Sequence, residues 1–182
     1  MTTSLALAAF LAAQSALAQT TAVPEPRDYR TEDYRAPVPA TVAGGQAIVT
    51  DEAQRLWREK RAVFVDVLPA PRRPEGLRPE ALWKPLPHRD IPGSLWLPDV
   101  GRGALPEPLE AYFRDTLQRA THGVRSTAVV LYCQADCWMS WNATKRAASY
   151  GYTQLYWYRA GMTGWEAASL PTEEAMPAAG RP

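Results

Sequence analysis

The chain has 182 residues, 46% of them hydrophobic, and a formal net charge of +1. That is enough apolar material for one real core and too little length for two sizeable domains, while the near-neutral charge offers nucleic acid no basic field. Two cysteines exclude a disulfide-dense scaffold, and two histidines, His88 and His122, argue against a zinc-type centre.

Residues 1–18 read as a secretory signal. Leu5 to Ala13 is an apolar run, and Ala16-Leu17-Ala18 is a small-x-small cleavage site before Gln19, although the first residues carry no Lys or Arg. The alternative is a short membrane anchor, but the run is shorter than the roughly 20 apolar residues that span a bilayer. Cleavage is therefore expected, with no membrane span left in the mature chain and export to a bacterial periplasm, where cysteines can be oxidised. Residues 19–45 form a proline-rich arm with a doubled Asp-Tyr-Arg at Asp28-Tyr29-Arg30 and Asp33-Tyr34-Arg35. Its composition reads as an extended segment with exposed charges, though its aromatic residues could also pack it on the domain.

A domain is expected over 46–171. Ala47 to Val49 reads as a short strand, and Thr50 as the N-cap of a helix from Asp51 to about Arg61 with Ala53, Leu56 and Trp57 on its buried stripe. Ala62 to Leu68 is a near-continuous apolar run, the pattern of a central parallel strand, with Asp66 near its end as a structural hydrogen-bond acceptor or a site residue. Residues 69–90 read as a long loop rich in cations, among them Arg72 and Arg73, and His88 as a surface histidine. Ile91-Pro92-Gly93 makes a turn, Ser94 to Leu97 a short strand, and Pro106 or Pro108 opens a helix with Leu109, Tyr112, Phe113 and Leu117 on one face. Thr127 to Tyr132 reads as a buried strand and Ser140 to Tyr150 as a helix stopped by Gly151. Gln154 to Tyr158 is a further strand, Gly161 and Gly164-Trp165 lead into a short last helix, and 172–182 reads as a tail with little to pack. Strands alternating with helices predict an α/β fold: a parallel sheet flanked by helices on both faces.

Both cysteines fall in the loop between a strand end and a helix start. In a parallel sheet that is where active crevices form. The first helical N–H groups lack intrahelical partners, and the helix dipole lowers a thiol pKa there. Cys133 and Cys137 are thus a reactive pair or a structural disulfide. Trp138 and Trp141 pack the loop or wall a ligand site.

Taken in order, Val65-Asp66-Val67, Asp90-Ile91-Pro92-Gly93-Ser94, Leu131-Tyr132-Cys133, and Gly151-Tyr152 through Gly161-Met162-Thr163-Gly164-Trp165 to Leu170-Pro171 resemble the rhodanese superfamily. Three further stretches, Asp33 to Ala40, Leu68 to Pro74 and Cys137 to Asn142, look like the exported proteins named for a Cys-x-x-Cys-Trp (CXXCW) motif that occur with pyrroloquinoline quinone (PQQ)-dependent alcohol oxidation systems. Here the spacing is Cys-x-x-x-Cys-Trp.

The resemblance implies that Cys133 is a nucleophile carrying a persulfide. The rest of the active loop is then Gln134, Ala135, Asp136, Cys137, Trp138, Met139 and Ser140. It places Trp138 and Met139 where sulfur-transfer and phosphatase relatives keep an arginine. The loop therefore lacks its anion clamp, phosphatase activity is not expected, and thiosulfate sulfur transfer would need Arg72, Arg73 or Lys145 to reach in. Cys137 would act as the resolving thiol. No bound cofactor is expected, PQQ entering by family context only. No His follows the pair, so covalent haem attachment is not implied. The implied partners are a PQQ-dependent dehydrogenase or its c-type cytochrome. The rival reading is a non-catalytic docking module for that dehydrogenase or cytochrome, with Cys133–Cys137 a staple.

Overall fold

The computed structural model describes residues 22–182; the expected signal segment lies outside them. Five strands form one parallel sheet: β1 (Gln46–Ile48), β2 (Val63–Asp66), β4 (Leu95–Trp96), β5 (Val129–Tyr132) and β6 (Leu155–Tyr158), in the order β1-β6-β5-β2-β4. A separate antiparallel pair joins β3 (His88–Asp90) to β7 (Glu173–Ala175). Among the described residues there are four helices: α1 (Thr50–Arg58), α2 (Glu107–Ala120), α3 (Trp138–Ser149) and α4 (Gly161–Ala167).

The sheet is buried on both faces, as the apolar runs of β2 and β5 require. Successive residues alternate between two cores, because side chains along a strand point to opposite faces. Val65, Val129 and Leu131 pack with Phe113 and Leu117 of α2 and Met139, Ala143 and Ala147 of α3. Phe64, Val130 and Tyr132 pack with Ala53 and Leu56 of α1 and Met162 and Trp165 of α4. β5 lies at the centre, so its carboxyl end opens where α3 begins.

Four expectations need correction. Thr50 is not a cap: Val49 is the N-cap residue, and the Thr50 hydroxyl instead meets the Tyr158 hydroxyl at 2.9 Å. α3 starts two residues before Ser140, at Trp138, whose N–H is taken by the Tyr34 carbonyl at 2.9 Å. The arm is not a solvated extension. Val38 and Val42 are buried with Trp138, Trp141 and Trp157 in a third apolar cluster, which outweighs the arm's exposed charges. The tail also packs, since β7 pairs with β3, Ala178 N–H donates to the Trp96 carbonyl, and Arg181 reaches Asp99.

Candidate active loop

β5 delivers Cys133 to the sheet's carboxyl edge, and α3 delivers Cys137 as its N-cap residue. Asp136, in the left-handed backbone region with φ 51°, curls the segment between them. The Cα atoms of Cys133 and Cys137 stand 6.3 Å apart, and the two sulfurs form a disulfide. Cys133 is fully buried and Cys137 is 2% exposed. The two are not equivalent. Cys133 packs into the core between β2, α2 and α3, whereas Cys137 also lines a cleft of about 420 Å³ with Tyr34, Arg35, Leu68, Pro69, Arg102 and Met139.

The loop is held from three sides. From α4, Met162 N–H donates to the Cys133 carbonyl at 2.9 Å, and Thr163 Oγ1 accepts from Ala135 N–H at 3.2 Å. Gly161 lies against the same carbonyl at φ 48°, where a Cβ would run into it. From inside, Ser140 Oγ donates to the Cys137 carbonyl at 3.1 Å and accepts from Trp157 Nε1 at 2.9 Å. From the arm, Arg35 bridges Cys137 across the backbone, and its Nη1 donates to Gln134 Oε1 at 2.7 Å. Trp138 and Trp141 are buried and pack edge to face at 5.4 Å. Ala135 and exposed Asp136 border a separate hollow beside Thr50 and Arg159.

Of the cations proposed from sequence, Arg73 and Lys145 are occupied elsewhere, while Arg72 reaches the acid that Arg102 holds beside the cleft. Arg73 donates to the carbonyls of Arg78, Pro79 and Ala81 in its own loop. Lys145 holds the carbonyls of Pro26 and Arg27. Arg72 lies 3.7 Å from Asp99 with an exposed side chain. The guanidiniums that border Cys137 are Arg35 and Arg102, which the sequence reading did not single out. Arg102 pairs with Asp99 at 2.7 Å, and Arg181 pairs with the same carboxylate at 3.0 Å, so three arginines surround one nearly buried acid. The available signal for Arg35 was the repeated Asp-Tyr-Arg. Both copies dock on the α3 region, Tyr29 under Arg146 at 4.3 Å and Arg35 on Gln134.

A second polar cluster lies at the carboxyl end of β2. His88 is not a surface residue: its side chain is 8% exposed, its Nε2 lies 2.8 Å from Asp66 Oδ2, and its ring stacks on Trp96 at 3.9 Å. The pairing of β3 with β7, which its own segment does not announce, draws His88 inward. Asp66 also accepts Leu68 N–H at 2.7 Å and is a satisfied structural acceptor. Asp90 accepts Ile91 N–H and the Tyr132 hydroxyl, while its Oδ2 is buried without a partner. Burial pushes the Asp90 carboxyl up to about 7, and the neighbouring Asp66 adds to the rise; burial raises Asp66 too. Among the described residues, Asp66, His88 and Asp90 form the group whose ligand atoms, all within 4.8 Å, are close enough to share a cation. Their observed contact is a His–carboxylate hydrogen bond.

The model of the rhodanese-like domain matches residues 49–168. This chain belongs to that family. The match takes in β2, β5, the cysteine loop and α4, and leaves the arm and tail outside it. No curated protein matches the chain. Among solved structures, it is similar to a thiosulfate sulfurtransferase from Pseudomonas aeruginosa at 18% identity and TM-score 0.50, covering 73% of this chain and 21% of that one. Wild-type EanB is similar at 18% identity and TM-score 0.50, covering 72% and 32%. The polysulfide-sulfur transferase homodimer of Wolinella succinogenes is similar at 19% identity and TM-score 0.46, covering 73% and 81%. The chain thus spans about a fifth to a third of the first two, and the likeness is one of fold.

Proposed function

We propose that this is an exported rhodanese-like thiol protein in which Cys133 takes up sulfur and Cys137 resolves it, in the service of PQQ-dependent alcohol oxidation. Attack of the Cys137 thiolate on Sγ of a Cys133 persulfide forms the Cys133–Cys137 bond and expels hydrosulfide, leaving the disulfide that the loop holds. The observation that carries this reading is the bridged pair at the carboxyl end of β5, with Cys137 lining a cleft. Export and the link to a quinoprotein dehydrogenase or its c-type cytochrome rest on the signal-like segment and on the resemblance in the arm and cysteine loop. The loop has no arginine of its own, and Arg35 and Arg102 border Cys137 rather than Cys133, so thiosulfate is not the expected donor.

The test is thiol trapping with mass spectrometry across a redox-buffer series. Reduction at a potential well above roughly −300 mV, and a +32 Da adduct on Cys133 after exposure of the reduced protein to polysulfide, are the expected results. A pair that stays oxidised throughout sinks the reading.

A second reading, the docking module, is favoured by a different surface. Trp83, Leu86, Trp96 and Met176 line an apolar cleft of about 560 Å³ away from the cysteines, and Leu86 and Met176 are exposed on it. Under that reading the disulfide is a staple, and Cys133→Ser leaves sulfur chemistry and any alcohol-oxidation phenotype unchanged. Co-purification of a quinoprotein or cytochrome from induced cells, lost on Leu86→Asp, supports it.

A further inference from the structure

The resolved loop must be reopened before it can take up sulfur again, and the two sulfurs offer an incoming thiol unequal access. Resting on the thiol-cycle reading above, we propose that the disulfide is opened at Cys137 by a small anionic thiol, which Arg35 and Arg102 recognise in the cleft beside it.

Three observations converge on this. In the bridged loop Cys133 is fully buried in the core, so the closed disulfide presents its Cys137 side first to an incoming thiolate. Cys137 forms part of the cleft wall, and the cleft's volume of about 420 Å³ suits a small molecule rather than a protein loop. The cleft is also cationic. Arg35 is exposed, its one hydrogen bond is to the neutral Gln134 amide, and among the described residues no carboxylate lies within ion-pair distance of it. Arg102 shares the single Asp99 carboxylate with Arg72 and Arg181, which leaves positive charge in excess. Asp33, the acid on the cleft, is paired with Arg30 at 3.3 Å. The arm therefore supplies the guanidinium that the loop sequence lacks, next to the cysteine that lines the cleft.

The chemistry balances with the thiol as reductant. The incoming thiolate attacks Cys137 Sγ, the new S–S bond forms there, and the Cys133–Cys137 bond breaks with its electron pair leaving on Cys133 Sγ. A second thiol then attacks the mixed disulfide. It releases the small-molecule disulfide and the Cys137 thiolate, which is favoured at the N-terminus of α3.

The experiment uses the oxidised mature protein with 2-mercaptoethanesulfonate as the anionic probe and 2-mercaptoethanol as the neutral one, with rates corrected for thiolate fraction. The mixed disulfide, quenched by acid and mapped by peptide mass spectrometry, is expected on Cys137 with Cys133 free. The anionic probe is expected to react about tenfold faster than the neutral one, and Arg35→Gln to cut that ratio at least threefold. In Cys133→Ser, the lone Cys137 thiol is expected to prefer iodoacetate over iodoacetamide more strongly than the lone Cys133 thiol of Cys137→Ser does. A mixed disulfide on Cys133, or a charge preference that Arg35→Gln leaves intact, overturns this proposal while leaving the thiol cycle standing. A pair that neither probe reduces overturns the cycle itself.

Discussion

Asn142 holds Arg30 as a neighbouring strand would. Arg30 N–H donates to Asn142 Oδ1 at 2.9 Å, and Asn142 Nδ2 donates back to the Arg30 carbonyl at 2.8 Å and to the Gly101 carbonyl at 2.9 Å. One buried amide thus ties the arm and the loop after β4 to α3. Asn142→Ala strands three backbone groups, so a loss of about 2–4 kcal/mol is expected in urea unfolding. Cleavage between 27 and 36 under limited proteolysis should accelerate before the rest of the domain opens. Unchanged protection would mean that the tryptophan cluster alone anchors the arm.

The Asp66–Asp90 pair makes stability depend on pH. Asp90 has an ordinary value of 3.8 unfolded and about 7 in the fold, and Asp66 is raised as well. Between about pH 4 and pH 7 the unfolded chain has released the proton while the folded chain keeps it, so unfolding free energy falls as pH rises through that window and levels off above it. The Asp90 contribution is at most about 4 kcal/mol. In Asp90→Asn, Oδ1 can still accept from Ile91 and Tyr132. Chemical unfolding at several pH values should show the variant gaining on the parent as pH rises from 4 to 8; parallel curves would contradict the assignment.

Reducing the disulfide frees a five-residue loop. The chain-entropy estimate for so short a loop is about 2 kcal/mol. Urea unfolding with and without a phosphine reductant should show that loss, and Cys137→Ser should remove the difference. A much larger loss would favour the staple over the cycle.

Removing residues 172–182 takes away β7, the Ala178 contacts with Trp96 and Tyr112, and the Arg181–Asp99 pair. A fall in Tm of about 4–8 °C is expected, matching a loss of ~2 kcal/mol in a domain of this size. With β3 unpaired, His88 and Asp66 gain water, so the pH dependence should flatten in the same truncation.

The parallel sheet, the four helices and the cysteine loop were legible because each depends on local pattern: apolar runs for β2 and β5, prolines opening α2, Gly151 closing α3. What stayed hidden depends on distant partners. His88 is drawn inward by a strand from the far end of the chain. Arg35 enters the cleft because Tyr34 and Val38 dock on α3, and neither contact leaves a periodic trace. The loop's missing arginine was visible in sequence, whereas its replacement from the arm required three-dimensional placement.

The bond between Arg30 and Asn142 joins positions 112 residues apart. The segment synthesised early is therefore among the last to find its place, since α3 must form before anything can receive it. Through that interval neither Tyr34 nor Arg35 covers the cysteine loop, so Cys137 meets an oxidant of either charge with no guanidinium beside it. Charge selection at Cys137 therefore begins only once the arm has docked.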